Sequence, residues 1–275
     1  MSEAEFKESI IEAITRPAEA LPRHRYRALF INDAAVNGGV RFMDEHESAL
    51  RRAADRYGVD PHIIAAIIGI ETRFGTVKGN HRVIDSLSTL TVGYPRRSDF
   101  FSKELREFLL LASRNRLDPL VTKGSYAGAI GIPQFMPSSY INYSVDFNGD
   151  GVRNLVDDFE DAIGSVANYL KVHRWREGEP VAVALGRGES DKILDELATT
   201  GLKPDVDIRK LDVRGLDIRP GQEDWKVGVL RLEEESGYDY RVGYHNFFVI
   251  TTYNRSQNYA MVAHELASAI SGRRE

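Results

Sequence analysis

An apolar run that ends on an acid constrains this chain more than any other stretch. Residues 58–75 read GVDPHIIAAIIGIETRFG. Asp60 is a good helix N-cap, and Pro61 suits the first helical position, where its missing N–H costs nothing. Ile64, Ile67 and Ile68 recur at helical spacing, and Glu71 takes the next place in the series. The spacing predicts a helix from Pro61 that Gly75 closes. It also predicts a carboxylate where a helix would normally bury another apolar side chain. A carboxyl group among apolar neighbours pays a desolvation cost when ionised, which raises its pKa and equips it as a general acid near neutral pH. Read structurally instead, Glu71 pairs with Arg73 or another base at a helix end.

At 275 residues the chain has room for one large domain or two small ones and buries a core without staples. Its hydrophobic content of 42% and charged content of 28% are those of a soluble globular protein. A formal charge of −5 opposes general nucleic-acid binding. The absence of cysteine rules out thiolate catalysis, disulfides and cysteine-based zinc sites. The seven histidines show no metal spacing, and nothing points to an organic cofactor. The opening MSEAEFKESIIEAIT is acidic and amphipathic, without the basic and apolar regions of a secretory signal. The uncharged run from Gly124 to Val145 is rich in Gly, Pro, Ser, Asn and Gln, so no transmembrane segment is expected.

Periodicity predicts a short helix over 3–15, extended chain from Arg23 to Ile31 and a helix from Val40 to Tyr57. Further helices are expected at Val83–Leu90, Arg96–Arg116 and Asp161–Trp175. Between them, KGSYAGAIGIPQFMP from Lys123 marks a loop or a close backbone approach. From Glu177 the composition shifts, and β-branched and aromatic residues at Val181–Leu185, Lys226–Leu232 and Arg241–Thr252 read as strands. Ser190–Thr199 and Gln257–Ile270 read as helices. The fold class expected is α+β, mainly α: a helical region at 1–177 plus 251–275 and a small α/β subdomain at 178–250.

Asp146–Asp157 reads DFNGDGVRNLVD, the start of an EF-hand loop. Asp146, Asn148 and Asp150 hold alternate positions, Gly151 permits the bend, and Val152 offers a backbone carbonyl. Position 12 is Asp157 rather than the usual Glu, and Asp158, Glu160 and Asp161 follow. The pattern predicts a structural calcium ion; the plain alternative is an acidic turn without metal.

These pieces together resemble the soluble and membrane-bound lytic transglycosylase B family of bacterial murein-cleaving enzymes. The resemblance is carried by GIETRFG at Gly69, YPRR at Tyr94 and KGSYAGAIGIPQFMPSSY at Lys123. It continues through DFNGDG at Asp146, DAIGSVANYL at Asp161 and TTYNRSQNYAM at Thr251. It implies a lysozyme-like catalytic core and cleavage of the β-1,4 bond between N-acetylmuramic acid and N-acetylglucosamine, leaving 1,6-anhydromuramoyl ends. By the resemblance, Glu71 is the single catalytic acid/base. Ser125, Gln134, Phe135 and Met136 belong to the glycan groove, and Arg96 and Arg97 lie near peptide or sugar substituents. Tyr169, Tyr253, Asn254 and Tyr259 surround the scissile sugar. The calcium ligands implied are Asp146, Asn148, Asp150, Val152 and Asp161, in a loop (146–161) longer than the family pattern, which sets Asp161 against Asp157 as the closing ligand. The partners implied are peptidoglycan strands and cell-wall synthesis or remodelling proteins, met as a monomer in the periplasm.

Two other readings fit the same residues. A hydrolytic muramidase would need a second carboxylate, for which Asp85 and Asp99 are available. A calcium-dependent peptidoglycan-binding scaffold would have little use for a costly carboxylate at Glu71.

Overall fold

The computed structural model describes residues 3–16 and 21–275, apart from the side chains at 213 and 214. In chain order the helices are α1 (Glu8–Ile14), α2 (Arg23–Phe30), α3 (Asp33–Glu45), α4 (Glu47–Tyr57), α5 (Pro61–Thr72), α6 (Val83–Gly93), α7 (Ser98–Arg114), α8 (Pro137–Tyr143), α9 (Phe159–Val172), α10 (Lys192–Glu196), α11 (His245–Tyr253) and α12 (Gln257–Arg274). The strands are β1 (His81–Arg82), β2 (Lys123–Gly124), β3 (Ala182–Gly188), β4 (Val206–Asp207), β5 (Lys226–Glu233) and β6 (Tyr238–Gly243). The chain forms two compact units, Met1–Ala18 with Asn37–Val172 and Glu19–Val36 with His173–Glu275.

The first unit is built on α5. Asp60 accepts a hydrogen bond from His62 N at 2.8 Å, the expected N-cap. Every residue from Ile63 to Gly69 is buried, so the helix is covered on all sides and not along one stripe. It packs against α4 and α9, and α4 ends in Gly58, whose φ of 68° supplies the left-handed cap. The predicted helix from Val40 to Tyr57 is two helices, broken at His46.

The N-terminal segment is stapled to α6. The buried Asp85 carboxylate accepts from Glu5 N at 2.9 Å and from Arg82 Nε at 2.8 Å, and Lys7 Nζ lies 3.3 Å away. Burial by itself raises the Asp85 pKa, but the hydrogen bonds from Arg82, the Glu5 amide and Lys7 outweigh it and hold the carboxyl below its usual range. The folded value thus lies below the unfolded one. The staple contributes fully above the unfolded pKa of about 4 and is lost as pH falls through the folded pKa. Asp85→Asn is expected to cost about 1.5–3 kcal/mol at pH 7. The gap to the unmutated protein should narrow as pH falls below about 4, and chemical denaturation at pH 7 and at successively lower pH measures it.

In the second unit an antiparallel sheet runs in the order β3-β6-β5-β4. β5 and β6 form a hairpin from Gly228↔Gly243 to Glu233↔Tyr238, and β3 pairs with β6 through a bulge between Ala184 and Gly186. One face of this sheet holds a core of Leu194, Ile208, Leu211, Val227, Val229, Tyr240 and Val242.

Two expectations fail in this unit. Arg23–Ile31 is helical, not extended, because α2 buries Tyr26 and sets Arg23 and Arg27 on one face, where both ion-pair with Glu265 of α12. The expected strand Arg241–Thr252 ends at Gly243, and α11 follows. Its Asn246–Thr251 are buried, so β-branched and aromatic residues there serve an enclosed helix. The unit also contains α12, which the sequence grouped with the helical region.

Candidate active site

Glu71 lies half-buried in the last turn of α5. The helix stops at Thr72, three residues before the expected Gly75. Arg73 and Phe74 turn the chain with φ of 49° and 58°, and Gly75 follows at 81°. Two non-glycine residues in this region cost about 1–2 kcal/mol each. Packing of the Phe74 ring offsets that cost. The ring lies 5.5 Å from Phe42 and fills the space over two glycines, so closely that a Cβ at Gly69 would sit 2.5 Å from it and one at Gly38 3.0 Å.

Thr72 ties this turn to the glycine-rich segment. Its buried hydroxyl donates to Ile132 O at 2.8 Å and accepts from Gly75 N at 3.0 Å. Valine at this position keeps the shape and leaves both groups unpaired. Thr72→Val is expected to cost about 1–3 kcal/mol while Thr72→Ser retains most of the stability, as urea denaturation of the two variants checks.

The glycine-rich segment is a compact set of turns. Ser125 Oγ accepts from Ala129 N at 3.0 Å and from Ala127 N at 3.3 Å, and Ile130 exchanges backbone hydrogen bonds with Phe135. Gln134, itself at φ 50°, donates through Nε2 to Gly131 O at 2.8 Å and Lys78 O at 3.2 Å. Both amide donations go to backbone, which leaves Oε1 as the acceptor that this half-buried side chain can offer. Lys78 in turn donates to Val156 O at 2.8 Å and pairs with Asp157 at 2.8 Å. Phe135 packs against Tyr169 with ring centroids 5.6 Å apart, and Tyr143 meets Tyr169 edge-on at 5.0 Å. Met136 is the N-cap residue of α8. The buried Glu104 of α7 satisfies that helix start, accepting from Ser138 N at 2.9 Å and Ser138 Oγ at 2.6 Å.

Arg96 and Arg97 stand exposed in a single 3₁₀ turn before α7, with Arg97 stacked 4.2 Å over Phe100. Of the two carboxylates available to a hydrolase, Asp85 is buried in its ion pairs and Asp99 is exposed in the first turn of α7. In the second unit, Tyr253 and the buried Tyr259 stack nearly parallel, 6.4 Å apart at 7°, and Asn254 between them is the extended residue that ends α11.

The acidic loop is bent by its own side chains. Asp146 accepts from Gly149, Asp150 and Gly151 amides at 2.7–3.1 Å, with both glycines at positive φ. Asn148 Oδ1 accepts from Asp150 N, and Asp150 Oδ1 from Val152 N. Buried Asp161 spends one oxygen on Phe147 N and the other on Asn154 N, each at 2.7 Å. Burial raises its pKa above the ordinary value despite these amides, and the charge of Asp158 adds to the rise. Asp157 turns to Lys78, and Asp158 meets Asn148 Nδ2 at 2.8 Å. Asp, Asn and carbonyl oxygens suit a hard cation. Among the described residues no three His, Asp or Glu side chains are gathered as metal ligands, so such an ion would draw on the Asn148 amide and the Val152 carbonyl as well.

The profile of the Transglycosylase SLT domain family matches residues 1–268. The chain belongs to this family. It is 47% identical over 248 residues to Membrane-bound lytic murein transglycosylase B of Escherichia coli (strain K12), covering 90% of this chain and 67% of that protein. Its fold is similar to the soluble lytic transglycosylase SltB1 of Pseudomonas aeruginosa, with a TM-score of 0.90 and 48% identity over 99% of this chain and 91% of that one. It is also similar to the Escherichia coli lytic transglycosylase Slt35 in complex with calcium, with a TM-score of 0.88 and 43% identity over 99% and 86%. The α+β, mainly α, class read from the sequence is that of these transglycosylases. Sequence reasoning did not single out Thr72, Lys78 or Glu104. Thr72 carried the one usable signal, a hydroxyl at a helix end able to bond backbone carbonyls.

Proposed function

We propose that the chain is a lytic murein transglycosylase that cuts the β-1,4 bond between N-acetylmuramic acid and N-acetylglucosamine with Glu71 as its one acid/base. The observation that carries this reading is Glu71 itself, half-buried at the end of an enclosed helix whose next residue is bonded to the glycine-rich segment. Protonated Glu71 gives its proton to the leaving glycosidic oxygen. The N-acetyl carbonyl of the muramoyl sugar stabilises the positive anomeric carbon. Glu71, now a carboxylate, takes the proton of the C6 hydroxyl as that oxygen closes the 1,6-anhydro ring, and the intramolecular attack supplies a high effective molarity. No second carboxylate is required, in contrast to hydrolytic glycosidases.

Ser125, Gln134, Phe135 and Met136 line the glycan path in this reading, and Arg96 and Arg97 meet peptide or sugar substituents. Tyr169, Tyr253, Asn254 and Tyr259 orient the N-acetyl group and stabilise charge. Calcium, a structural element that adds no chemistry to the cleavage, is held by Asp146, Asn148, Asp150 and the Val152 carbonyl, with Asp161 as the closing ligand. Adding a chelator is expected to lower the melting temperature without a direct effect on cleavage; an unchanged melting curve removes the calcium assignment. The substrate places the protein in the periplasm, as a monomer working beside cell-wall synthesis or remodelling proteins. Among the described residues no helix is long and apolar enough to cross a membrane.

Mass spectrometry of muropeptides released from purified sacculi tests the reading. Anhydromuramoyl ends, lighter than reducing ends by one water, support it. Reducing ends make the protein a hydrolase. Binding to sacculi without release makes it a scaffold.

A further inference from the structure

A cavity of about 440 Å³ opens in the second unit, lined by His24, Arg27, Arg187, Glu234, Glu235 and Tyr238 among others. Behind it is a dense set of charges. Arg23 Nη1 meets Glu234 at 2.7 Å and its Nη2 meets Glu265 at 2.8 Å, while Arg27 Nε takes the other Glu265 oxygen at 2.8 Å. On the sheet, Arg187 and Arg241 both bond one oxygen of Asp239, at 3.3 and 2.9 Å. These pairs leave valences unused. Five buried side-chain polar atoms lack a hydrogen-bond partner among the described residues, and Arg23 Nε, His24 Nδ1 and Asp239 Oδ1 are three of them. Arg23 is 4% exposed and Asp239 fully buried. Buried unpaired groups are costly, and these three lie at one cavity: His24 lines it, and Arg23 and Asp239 bond the lining residues Glu234 and Arg187.

The lining has two chemistries. Arg27 and Arg187 each spend a single nitrogen on a protein partner, so guanidinium N–H groups remain to take a carboxylate in forked geometry. The β5–β6 turn supplies Glu234, with one oxygen spent on Arg23, and the exposed Glu235. These two suit an ammonium group. We propose that this cavity binds an α-amino-acid zwitterion, its carboxylate on Arg27 and Arg187 and its ammonium on Glu234 and Glu235. The assignment rests on the cavity alone. The murein reading adds one source of such a group, the free amino-acid ends of peptide stems.

Calorimetric titration of the full chain with meso-diaminopimelate, which carries two such centres, is the test. Saturable binding is expected. Arg187→Ala and Glu235→Gln should each weaken it by about tenfold or more, and N-acetylated or esterified diaminopimelate should not bind. Both variants alter exposed side chains, and their melting curves confirm that the fold is kept. Glu71→Gln should bind as the unmutated protein does, which separates this site from the cleavage reaction. A stem tripeptide that binds more tightly than the free amino acid identifies the stem as the source, and equal affinities identify the free amino acid. The proposal is overturned by no saturable binding at about 10 mM, by affinity that survives both substitutions, or by equal binding of the blocked ligands.

Discussion

Glu71→Gln is expected to lower the rate of muropeptide release from sacculi by about 10²–10⁴-fold or more, the range that general acid–base groups supply. Glutamine keeps the size and hydrogen-bonding reach of glutamate but cannot pass a proton to the leaving oxygen or take one from the C6 hydroxyl. The substitution therefore touches both halves of the proposed reaction. Its effect on folding should be small, because α5 is held by Ile63–Gly69 and by the Asp60 cap, and Glu71 is only half-buried. Sacculus binding should persist. A variant that releases soluble fragments at a rate within tenfold of the unmutated protein, with an unchanged melting curve, would take Glu71 out of the chemistry.

The second large effect is structural. Gly131→Ala should destabilise the protein by about 2–5 kcal/mol, the sum of a left-handed backbone cost and overpacking. Gly131 has φ 76°, and a Cβ there would stand 2.2 Å from Leu155 O. That oxygen cannot retreat, since it accepts from Ile132 N at 2.7 Å. Gly131 O also holds Gln134 through two hydrogen bonds, so the substitution should displace Gln134 and slow cleavage along with the loss of stability. Gly149→Ala is the control. Its φ is 81°, but nothing lies within 4 Å of the added carbon, so only the backbone cost of about 1–2 kcal/mol applies. Thermal melts of the two variants should differ by several degrees; equal shifts would mean that the approach of Leu155 is not what requires glycine at 131.

What the sequence made legible was local chemistry. Asp60 and Pro61 announce the start of α5, and the apolar periodicity of α7 gives its extent to within two residues. The end of α5 was not legible, because Arg73 and Phe74 adopt left-handed backbone on account of a ring packed against residues thirty and more positions away. The same holds for α2, which is held by pairs between Arg23, Glu234 and Glu265, and for α11, whose strand-like composition is overruled by enclosure on all sides. Glu71 was visible because it interrupts an apolar series. Thr72 and Glu104 act through backbone groups brought near by the fold, and a backbone carbonyl or amide has no letter in the sequence.

Phe74 and the two glycines it covers also bear on how this chain can change over generations. Alanine at Gly69 meets the ring at 2.5 Å and alanine at Gly38 meets it at 3.0 Å, so neither substitution is neutral while phenylalanine is present. A smaller side chain at 74 admits both, but loses the burial that offsets two left-handed residues. The three positions are therefore epistatic. Growth at either glycine is blocked until the ring has shrunk, so the order of steps is fixed. Lineages that carry alanine at 69 should carry a side chain smaller than phenylalanine at 74.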